Sequence, residues 1–231
     1  MTAIIPVYND RAALEEAIPC SLEALTNITS SFELIIAEDG STDGSAELVR
    51  DVEARDSRVH LIHSDERQGR GRALSRVMKV AKGAIICYYD VDLATDISYL
   101  AELVQSIRDG YDLATGSRLL PESRVMRTKR REIPSRVFNW LVRVLLGSSL
   151  HDHQCGFKSF SRDRIIPLLS SVEATHWFWD TEILVRAQKR GLTVREFPVR
   201  WQEGEGTTVR LQDIFSMGKA ILRLWWRLYV T

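Results

Sequence analysis

The stretch YYDVDLATD (Tyr88–Asp96) joins an apolar run to closely spaced carboxylates, and this junction decides the fold class. Residues 84–89, AIICYY, are β-branched and aromatic over a short length, which predicts a buried strand. Asp90 and Asp92 would then follow the carboxyl end of that strand. Ligands of open α/β sheets bind outside the carboxyl ends of the strands, so this pair marks a candidate functional site.

The two aspartates are candidate ligands of a hard metal cation. Two carboxylates two residues apart cannot pair with each other, and their charges favour a shared hard cation that also bridges substrate phosphates. The alternative is that Asp90 and Asp92 solvate a turn and cap a helix that begins near Asp96, for which aspartate is well suited. The residues alone leave both interpretations open.

Segments on either side of this stretch alternate between strand and helix patterns. Apolar runs predict strands at residues 2–7, 32–37, 59–62, 84–89, 111–118 and 192–201, and helices fill most of the intervals. This alternation predicts an α/β fold with a mostly parallel central sheet, right-handed crossovers and flanking helices. Its 231 residues are enough to bury a sizeable core.

Composition is that of a soluble globular protein, with 45% hydrophobic and 27% charged residues. Three widely spaced cysteines predict free thiols and a reducing compartment. The first strand begins almost at once, which leaves no room for a signal peptide, and no run of eighteen apolar residues is present. We therefore expect a protein that acts on the cytoplasmic side.

Charge is distributed unevenly along the chain although the formal net charge is zero. Residues 1–66 contain fourteen acidic and four basic residues, whereas residues 118–143 contain eight basic and two acidic residues. A basic segment can be a solvated face, a nucleic-acid surface, a site for a phosphorylated acceptor or a contact with an anionic membrane. Few aromatic residues are interleaved with these charges, which weakens a single-stranded nucleic-acid surface.

Two further segments resemble ligand sites only weakly. The Gly69-x-Gly71 pair lacks the rest of a phosphate loop, yet its backbone amides could meet a nucleotide at a helix N-terminus. Three potential zinc ligands would share one face of an extended strand, but no fourth ligand accompanies them. They are His151, His153 and Cys155.

The end of the chain predicts an amphipathic helix over residues 214–230, in which Trp, Tyr and Arg alternate with aliphatic residues. Such a helix typically lies in a membrane interface, whereas packing on the protein's own core is the alternative. Arg223 and Arg227, one turn apart, oppose full burial. We expect a catalytic domain at residues 1–202 and an acceptor-side loop with the interface helix at residues 203–231.

Five short motifs, spread over nearly the whole chain, together resemble glycosyltransferase family 2. They occur in the order and at the spacing typical of that family. They are PVYND (6–10), EDGSTD (38–43), DVD (90–92), GSR (116–118) and QCGFK (154–158). The subgroup resembled is the polyprenyl or dolichyl phosphate hexose synthases. Within it, Leu-Ala-Thr after the second aspartate and Trp-x-x-Asp-x-Glu at 177–182 are more similar to dolichyl-phosphate β-glucosyltransferases than to mannose synthases.

The resemblance implies a GT-A fold and an inverting, metal-dependent transfer of a hexose from a nucleotide sugar, with UDP-glucose favoured, to a polyprenyl or dolichyl phosphate. It implies that Asp92 is the main protein ligand of Mg²⁺ or Mn²⁺ on the diphosphate and that Asp90 lies on the nucleotide side near the metal. The implied nucleotide-binding set is Pro6, Tyr8, Asp10, Asp39, Gly69 and Asp90. The implied acceptor-phosphate set is Arg118, Arg131 and Ser135.

Alternative functions follow from the same motifs. The donor could be GDP-mannose, or the acceptor a glycan hydroxyl, in which case a carboxylate base is needed and Asp180 or Glu182 would supply it. Asp92, Arg118, Arg131 and Asp180 are therefore the candidate catalytic residues. A nucleic-acid or anionic-lipid binding module is a further alternative, which the two acidic strand ends oppose. We expect partners at the cytoplasmic face of a membrane, not nucleic acid, with attachment peripheral or through segments beyond this chain.

Overall fold

The fold is a three-layer α/β sandwich around a seven-stranded sheet. The computed structural model describes residues 1–126, 129–202 and 211–230, with side chains at all of these positions except 129–131 and 211–215. The strand order of the main sheet is β3-β2-β1-β4-β7-β5-β8, and a separate two-stranded sheet pairs β6 with β9.

Helices and strands alternate through most of the described chain, as the sequence predicts. The strands are β1 Thr2–Val7, β2 Glu33–Glu38, β3 Val59–Ile62, β4 Ile85–Tyr89, β5 Leu113–Ser117, β6 Arg124–Met126, β7 Phe157–Ser161, β8 Val194–Pro198 and β9 Arg200–Gln202. The helices are α1 Arg11–Ile28, α2 Ser45–Glu53, α3 Arg70–Val80, α4 Leu100–Arg108, α5 Lys129–Leu146, α6 Arg162–Leu169, α7 Trp179–Lys189 and α8 Leu211–Tyr229. A 3₁₀ turn, Ile97–Tyr99, precedes α4.

All strands of the main sheet run parallel except β7. Strands β1, β2, β3 and β4 pair in parallel, and β5 pairs in parallel with β8. Strand β7 lies between β4 and β5 and is antiparallel to both. The prediction of a mostly parallel sheet is confirmed. The carboxyl ends of the parallel strands and the amino end of β7 therefore meet at one edge of the sheet.

Each face of the sheet is covered by helices that bury an apolar stripe. One face packs against α1 and α4, whose buried residues include Leu14, Leu25 and Leu103. The other face packs against α3, α6 and α7, where Trp179 is the largest buried side chain. Burial of apolar surface on both faces explains why the central strands are continuously hydrophobic instead of alternating.

Two strand predictions are wrong. Residues 192–201 do not form one strand, because the chain leaves the main sheet after Pro198 and enters the small sheet as β9 beside β6. Residues 151–155 do not form a strand either, because β7 begins only at Phe157. In the preceding loop His151 contacts Glu196 on β8 and His153 contacts Asn139 on α5, whereas alternate residues of a strand lie on one face.

A third apolar cluster joins α5, α7 and α8. Phe138, Val142 and Leu146 of α5 pack against Ile221 and Leu224 of α8. The helix that the sequence predicts near the chain end is thus confirmed as α8. Among the described residues, no helix combines the length and the hydropathy that crossing a bilayer requires.

Candidate functional site

A crevice lies at the sheet edge where the carboxyl ends of the parallel strands meet. Tyr8 and Asp10 follow β1, Asp39 follows β2, Asp90 follows β4 and Arg118 follows β5. Most of the residues expected to bind ligand therefore come from the loops at one edge, as the parallel topology requires. Pro6 is an exception, because it lies inside β1 and is buried.

The loops after β1 and β2 are joined by hydrogen bonds. The amide of Thr42 donates to Asn9 Oδ1 at 2.8 Å, and the amide of Arg11 donates to Asp43 Oδ2 at 2.8 Å. Tyr8 remains 37% exposed, and the guanidinium of Arg67 lies 4.0 Å from its ring centroid. This wall of the crevice presents an aromatic face and a cation, which suit a nucleobase.

The Asp39 carboxylate holds the loop before α3 through two hydrogen bonds from backbone amides. Its Oδ1 accepts a hydrogen bond from the Gln68 amide at 3.0 Å, and its Oδ2 accepts one from the Gly69 amide at 2.7 Å. Gly69 has φ +105, and a Cβ there would lie 2.4 Å from the Thr175 carbonyl oxygen, so only glycine fits. The Gly69 amide is thus hydrogen-bonded to Asp39, and the buried Asp39 side chain supports the loop that lines the crevice.

Asp90 is held by an arginine that the sequence did not single out. Its Oδ1 accepts hydrogen bonds from Arg70 Nη2 at 2.6 Å and from Arg70 Nε at 3.1 Å. The Arg70 side chain is only 11% exposed. Two hydrogen bonds from a guanidinium satisfy much of this carboxylate's acceptor capacity, so Asp90 is less available to a cation than Asp92.

Beneath Arg70 lies a buried cluster centred on Asp180. Arg70 Nη1 donates to Asp180 Oδ2 at 2.5 Å, Lys158 Nζ lies 3.2 Å from Asp180 Oδ1, and the Tyr88 hydroxyl donates to the same oxygen. Burial raises the pKa of Asp180 to about 6 against the opposing charge of Arg70, and burial lowers the pKa of Lys158 to about 8. The buried ion pair with Asp180 holds the Arg70 guanidinium in place.

Asp92 is the exposed carboxylate of the pair. Leu93, with φ 47, adopts a left-handed conformation that turns the chain at this point, and Asp92 Oδ1 accepts one hydrogen bond, from the Ala94 amide at 3.0 Å. Partial desolvation raises the pKa of Asp92, as do the neighbouring Asp90 and Asp10 carboxylates. This concentration of negative charge at an open oxygen ligand suits a divalent cation.

A cation here would depend on its substrate for further ligands. Among the described residues, no group of three or more His, Cys, Asp or Glu side chains is placed to hold a metal ion. Mg²⁺ is commonly bound by one or two carboxylates together with substrate phosphates and water. The ligand types at Asp92 therefore fit Mg²⁺ or Mn²⁺ on a diphosphate.

Gly156 lets the Asp90 carboxylate lie against the backbone of the loop before β7. A Cβ at this position would lie 1.8 Å from Asp90 Oδ2. We expect Gly156→Ala to displace Asp90 and to weaken binding of a nucleotide diphosphate with Mn²⁺ by about tenfold or more, measured by calorimetry.

Gly218→Ala is the matched control, because no atom lies within 4 Å of the Cβ it would add to α8. It should leave nucleotide binding unchanged and stabilise the helix by about 0.5–1 kcal/mol. Equal nucleotide affinity in the wild type and Gly156→Ala would show that the position of Asp90 has no influence on the crevice.

Arg118, at the other side of the crevice, forms a buried ion pair with Asp152. Arg118 Nε and Nη2 donate to the two Asp152 oxygens at 2.7 and 2.9 Å, and the Arg118 amide donates at 3.0 Å. Burial disfavours charge on both groups, but the mutual attraction outweighs it: the pKa of Asp152 is lowered and that of Arg118 is raised. The Asp90 carboxylate also contributes to the raised pKa of Arg118, so the two sides of the crevice interact electrostatically.

Arg118 also lines a cleft of about 440 Å³ between the loop after β5 and α5. Ser123, Glu132 and Arg136 contribute polar groups to this cleft. Ser135, on the same turn of α5, has a buried hydroxyl with no hydrogen-bond partner among the described residues. The structure thus brings Arg118 near the α5 turn that contains Ser135, whereas the Arg131 side chain lies outside the described residues.

The three candidate zinc ligands do not converge. His153 contacts Asn139 Oδ1 through Nδ1 and Ser148 Oγ through Nε2, both at 2.7 Å. His151 pairs with Glu196 on β8, and Cys155 is buried. Each imidazole has its own protein partner, which explains why this segment forms no metal site.

Stability should fall on acidification because of His153. Burial lowers its pKa to about 4, against the opposing charge of Asp152. The unfolded chain, with an ordinary histidine pKa of about 6.5, binds more protons between pH 6.5 and 4, so unfolding is favoured as pH falls through this window. We expect a loss of about 3 kcal/mol across it from His153 alone, measured by urea denaturation.

His153→Gln should remove most of this particular pH dependence. Glutamine can still hydrogen-bond to Ser148 but does not titrate. His60, with a side chain that is 39% exposed, provides the control, because His60→Gln should retain the loss of stability that His153 causes. Identical profiles for the wild type and His153→Gln would contradict the assignment.

Sequence reasoning missed Arg70 and Asp152 as parts of the site. Arg70 follows a glycine at the start of a helix, and Asp152 lies between two histidines that draw attention to zinc. Their partners are 20 and 34 residues away in the chain. Only the sheet topology shows which carboxylate forms an ion pair with each arginine.

Comparison with known proteins gives a consistent set of relatives. A profile of Glycosyl transferase family 2 matches residues 2–167. Glycosyltransferase AglD of Haloferax volcanii is 47% identical over 234 residues, which cover all of this chain and 38% of AglD. The chain therefore spans well under half of that relative.

Two other relatives have names that describe a lipid acceptor. Dolichyl-phosphate beta-glucosyltransferase ALG5D of Trichomonas vaginalis is 30% identical, with 96% of this chain and 71% of that protein covered. Polyprenol monophosphomannose synthase of Mycolicibacterium smegmatis is 28% identical, with 87% and 77% covered.

Among solved structures, glucosyl-3-phosphoglycerate synthase of Mycobacterium tuberculosis has the same fold. Its complex with Mn²⁺, UDP and glucosyl-3-phosphoglycerate superposes with a TM-score of 0.68 at 18% identity, covering 98% of this chain and 78% of that chain. Its complex with Mg²⁺ and UDP gives a TM-score of 0.65 at 17% identity.

Proposed function

Because the chain belongs to glycosyl transferase family 2, we propose that it transfers a hexose from a nucleotide sugar to the phosphate of a polyprenyl or dolichyl lipid at a membrane surface. The names of its dolichyl-phosphate and polyprenol relatives support the lipid acceptor. UDP-glucose is the proposed donor, since several relatives are named glucosyltransferases and the structural neighbours hold UDP. GDP-mannose is the alternative donor.

The observation that carries this proposal is the division of charge across the crevice. Exposed Asp92 and Tyr8 follow the adjacent strands β4 and β1, whereas Arg118, held by Asp152, follows β5 on the other side of β7. A donor diphosphate and an acceptor phosphate repel each other by about 1 kcal/mol per charge pair at 4 Å in water and about 4 kcal/mol near a protein surface. A cation site on one side and a guanidinium on the other would offset that repulsion.

On the donor side, Tyr8 and Asp10 would contact the base and ribose, while Asp39 and Gly69 maintain the loop that faces them. Asp92 would hold Mg²⁺ or Mn²⁺ on the diphosphate. When bound, the cation supplies positive charge for the leaving nucleoside diphosphate. Asp90 would then act from the nucleotide side, oriented by Arg70.

On the acceptor side, Arg118, the Ser135 hydroxyl and Arg131 would receive the lipid phosphate. This phosphate is already mostly ionised near neutral pH, so it needs positioning more than deprotonation. One of its oxygens attacks the anomeric carbon from the face opposite the diphosphate. The new carbon–oxygen bond forms as the bond to the diphosphate breaks, which inverts the anomeric configuration.

The geometry favours a phosphate over a glycan hydroxyl as acceptor. A hydroxyl acceptor needs a carboxylate base, for which Asp180 and Glu182 are the candidates. Asp180 is buried under Arg70, and Glu182 accepts a hydrogen bond from Arg186 Nε at 2.7 Å and another from the Ala174 amide at 2.8 Å. Both carboxylates serve structural contacts, and we propose that Asp180 acts by positioning Arg70.

The test is transfer of labelled sugar into a lipid phase. Purified protein is mixed with Mn²⁺, polyprenyl phosphate and either UDP-[¹⁴C]glucose or GDP-[¹⁴C]mannose, and label extracted into organic solvent is counted. Label from UDP-glucose is the expected result. Label from GDP-mannose alone would overturn the donor, and label in a water-soluble glycan instead of lipid would overturn the acceptor.

A further inference from the structure

Exposed apolar side chains are concentrated on α5 and at the end of α8. Fourteen large hydrophobic residues are exposed in the described part of the chain, and nine of them lie on these two neighbouring helices or at the residue that follows. The nine are Ile133, Val137, Trp140, Val144, Leu222, Trp225, Trp226, Tyr229 and Val230. Scattered exposed apolar residues are ordinary, but such a concentration marks an interaction surface.

The α5 residues form a continuous stripe, which we call the α5 stripe: Ile133, Val137, Trp140 and Val144. Their spacing of four, three and four residues places them on one face of the helix. They are 66%, 50%, 59% and 59% exposed, respectively. At 1.5 Å per residue the stripe is about 16 Å long.

The α5 stripe is not the face by which α5 joins the fold. That role belongs to Phe138, Val142 and Leu146, which pack against α8. A helix that only covers a core presents polar residues to solvent. Helix α5 is apolar on its outer face as well, so this outer face has a partner of its own.

The charged residues of α5 and α8 indicate the chemical nature of that partner. The sequences of α5 and α8 contain eight basic and two acidic residues. Some of the arginines are compensated, as Arg136 pairs with Glu132, and Arg223 and Arg227 pair with Glu173. The remaining positive excess, together with Trp and Tyr beside aliphatic residues, matches an anionic lipid surface, whose headgroups attract arginine while the apolar side chains enter the acyl boundary.

The stripe also begins at the cleft that contains Arg118. Glu132 and Arg136 line the cleft, and Ile133 and Val137 are the adjoining residues on the same turns. A lipid whose phosphate enters the cleft would leave its hydrocarbon chain beside the stripe.

We propose that the α5 stripe is a membrane-docking surface that seats α5 in the headgroup and acyl boundary of an anionic bilayer. This inference rests on the proposed function for its link to the acceptor cleft. It assigns to the apolar outer face of α5 a contact that the sequence offers only as one of several roles for the basic segment at residues 118–143. Docking through α5 places the mouth of the Arg118 cleft at the depth of lipid phosphates.

The experiment compares two equally exposed valines. Val144→Glu places a charge in the stripe, and Val80→Glu, at the end of α3 and 56% exposed, is the matched control. Flotation with vesicles of phosphatidylcholine and 30% phosphatidylglycerol should show about a tenfold or greater loss of binding for Val144→Glu, the effect of losing one buried valine contact. Val80→Glu should bind vesicles as the wild type does.

Two further measurements check the fold of Val144→Glu and test the α5 stripe by a second variant. Binding of UDP with Mn²⁺ should be unchanged in Val144→Glu, which shows an intact fold. Brominated lipids should quench tryptophan fluorescence less in Trp140→Phe than in the wild type, which reports the stripe without introducing a charge.

Other outcomes distinguish the proposed transfer to a lipid phosphate from the proposed membrane-docking surface. Wild-type flotation with no transfer to any lipid phosphate would overturn the function but leave the surface supported. Equal flotation of the wild type and Val144→Glu, with unchanged quenching in Trp140→Phe, would overturn the surface even if lipid transfer occurs. A wild-type dimer that Val144→Glu converts to monomers in vesicle-free solution, with equal flotation, would assign the stripe to a second copy and overturn the membrane contact.

Discussion

Replacing Asp92 by alanine should lower hexose transfer at least about a thousandfold while leaving the fold intact. Asp92 is exposed, and among the described residues it accepts one hydrogen bond, from the Ala94 amide at 3.0 Å, and forms no ion pair. Its removal therefore costs little stability. A bound cation contributes several kcal/mol to stabilising the departing diphosphate, and each 1.36 kcal/mol lost is a tenfold loss in rate.

The informative measurement combines rate with nucleotide affinity. Calorimetry with UDP in the presence and absence of Mn²⁺ should show that the metal strengthens UDP binding in the wild type and has little effect in Asp92→Ala. An unaffected transfer rate in this variant would remove Asp92 from the metal site.

Asp163→Ala is the control for loss of an exposed carboxylate. Asp163 lies in the first turn of α6, directly after β7. The end of β7 pairs with the beginning of β4, so Asp163 lies at the opposite edge of the sheet from the crevice. This variant should retain wild-type transfer and the wild-type response of UDP binding to Mn²⁺.

The second large effect is expected at the Arg118–Asp152 pair. Arg118→Ala leaves the Asp152 carboxylate fully buried without its cation, which typically costs about 3–5 kcal/mol. Urea denaturation should show this loss, and transfer to lipid phosphate should fall with it. This single variant does not separate a structural role from a role in binding the acceptor.

The double variant Arg118→Met with Asp152→Leu separates them. Replacement of both members of a buried ion pair by apolar residues of similar volume is often close to neutral for stability. We expect the free energy of unfolding to return to within about 1–2 kcal/mol of the wild type, with UDP binding retained. Transfer should remain at least about a hundredfold reduced, because the acceptor phosphate has lost its guanidinium.

Recovery of transfer in the double variant would mean that Arg118 only supports the fold. Loss of UDP binding along with transfer would mean that the pair holds the whole crevice together, not the acceptor side alone. The expected pattern, stable and nucleotide-binding but inactive toward lipid phosphate, assigns Arg118 to the acceptor.

Local sequence determined the strands and helices of the first half of the chain. Apolar runs predicted β1, β2, β3 and β4 to within about two residues. The signal is strongest for β1, β2 and β4, which are almost entirely buried and so are largely apolar. The same pattern placed Asp39, Asp90 and Asp92 at one sheet edge. Strands β6 and β9 were less predictable, since each has three residues and little burial to mark it.

The partners of those residues were decided by tertiary structure. Strand β7 enters antiparallel between β4 and β5, so the loop that precedes it reaches the same edge as the carboxyl ends of its neighbours. This places Asp152 beside Arg118 and Gly156 beneath Asp90. Helix α7 brings Asp180 under Arg70 from 110 residues away.

The sequence by itself thus determined the layered α/β fold and the carboxylates at the crevice, because hydrophobic periodicity and strand ends are local properties. Only the tertiary structure decided that Arg70 engages Asp90, that Asp152 fixes Arg118, and that α5 turns an apolar stripe outward. Long-range charge pairing and the choice of which helix face is buried depend on how distant segments pack, and neither has a period or a spacing in the chain.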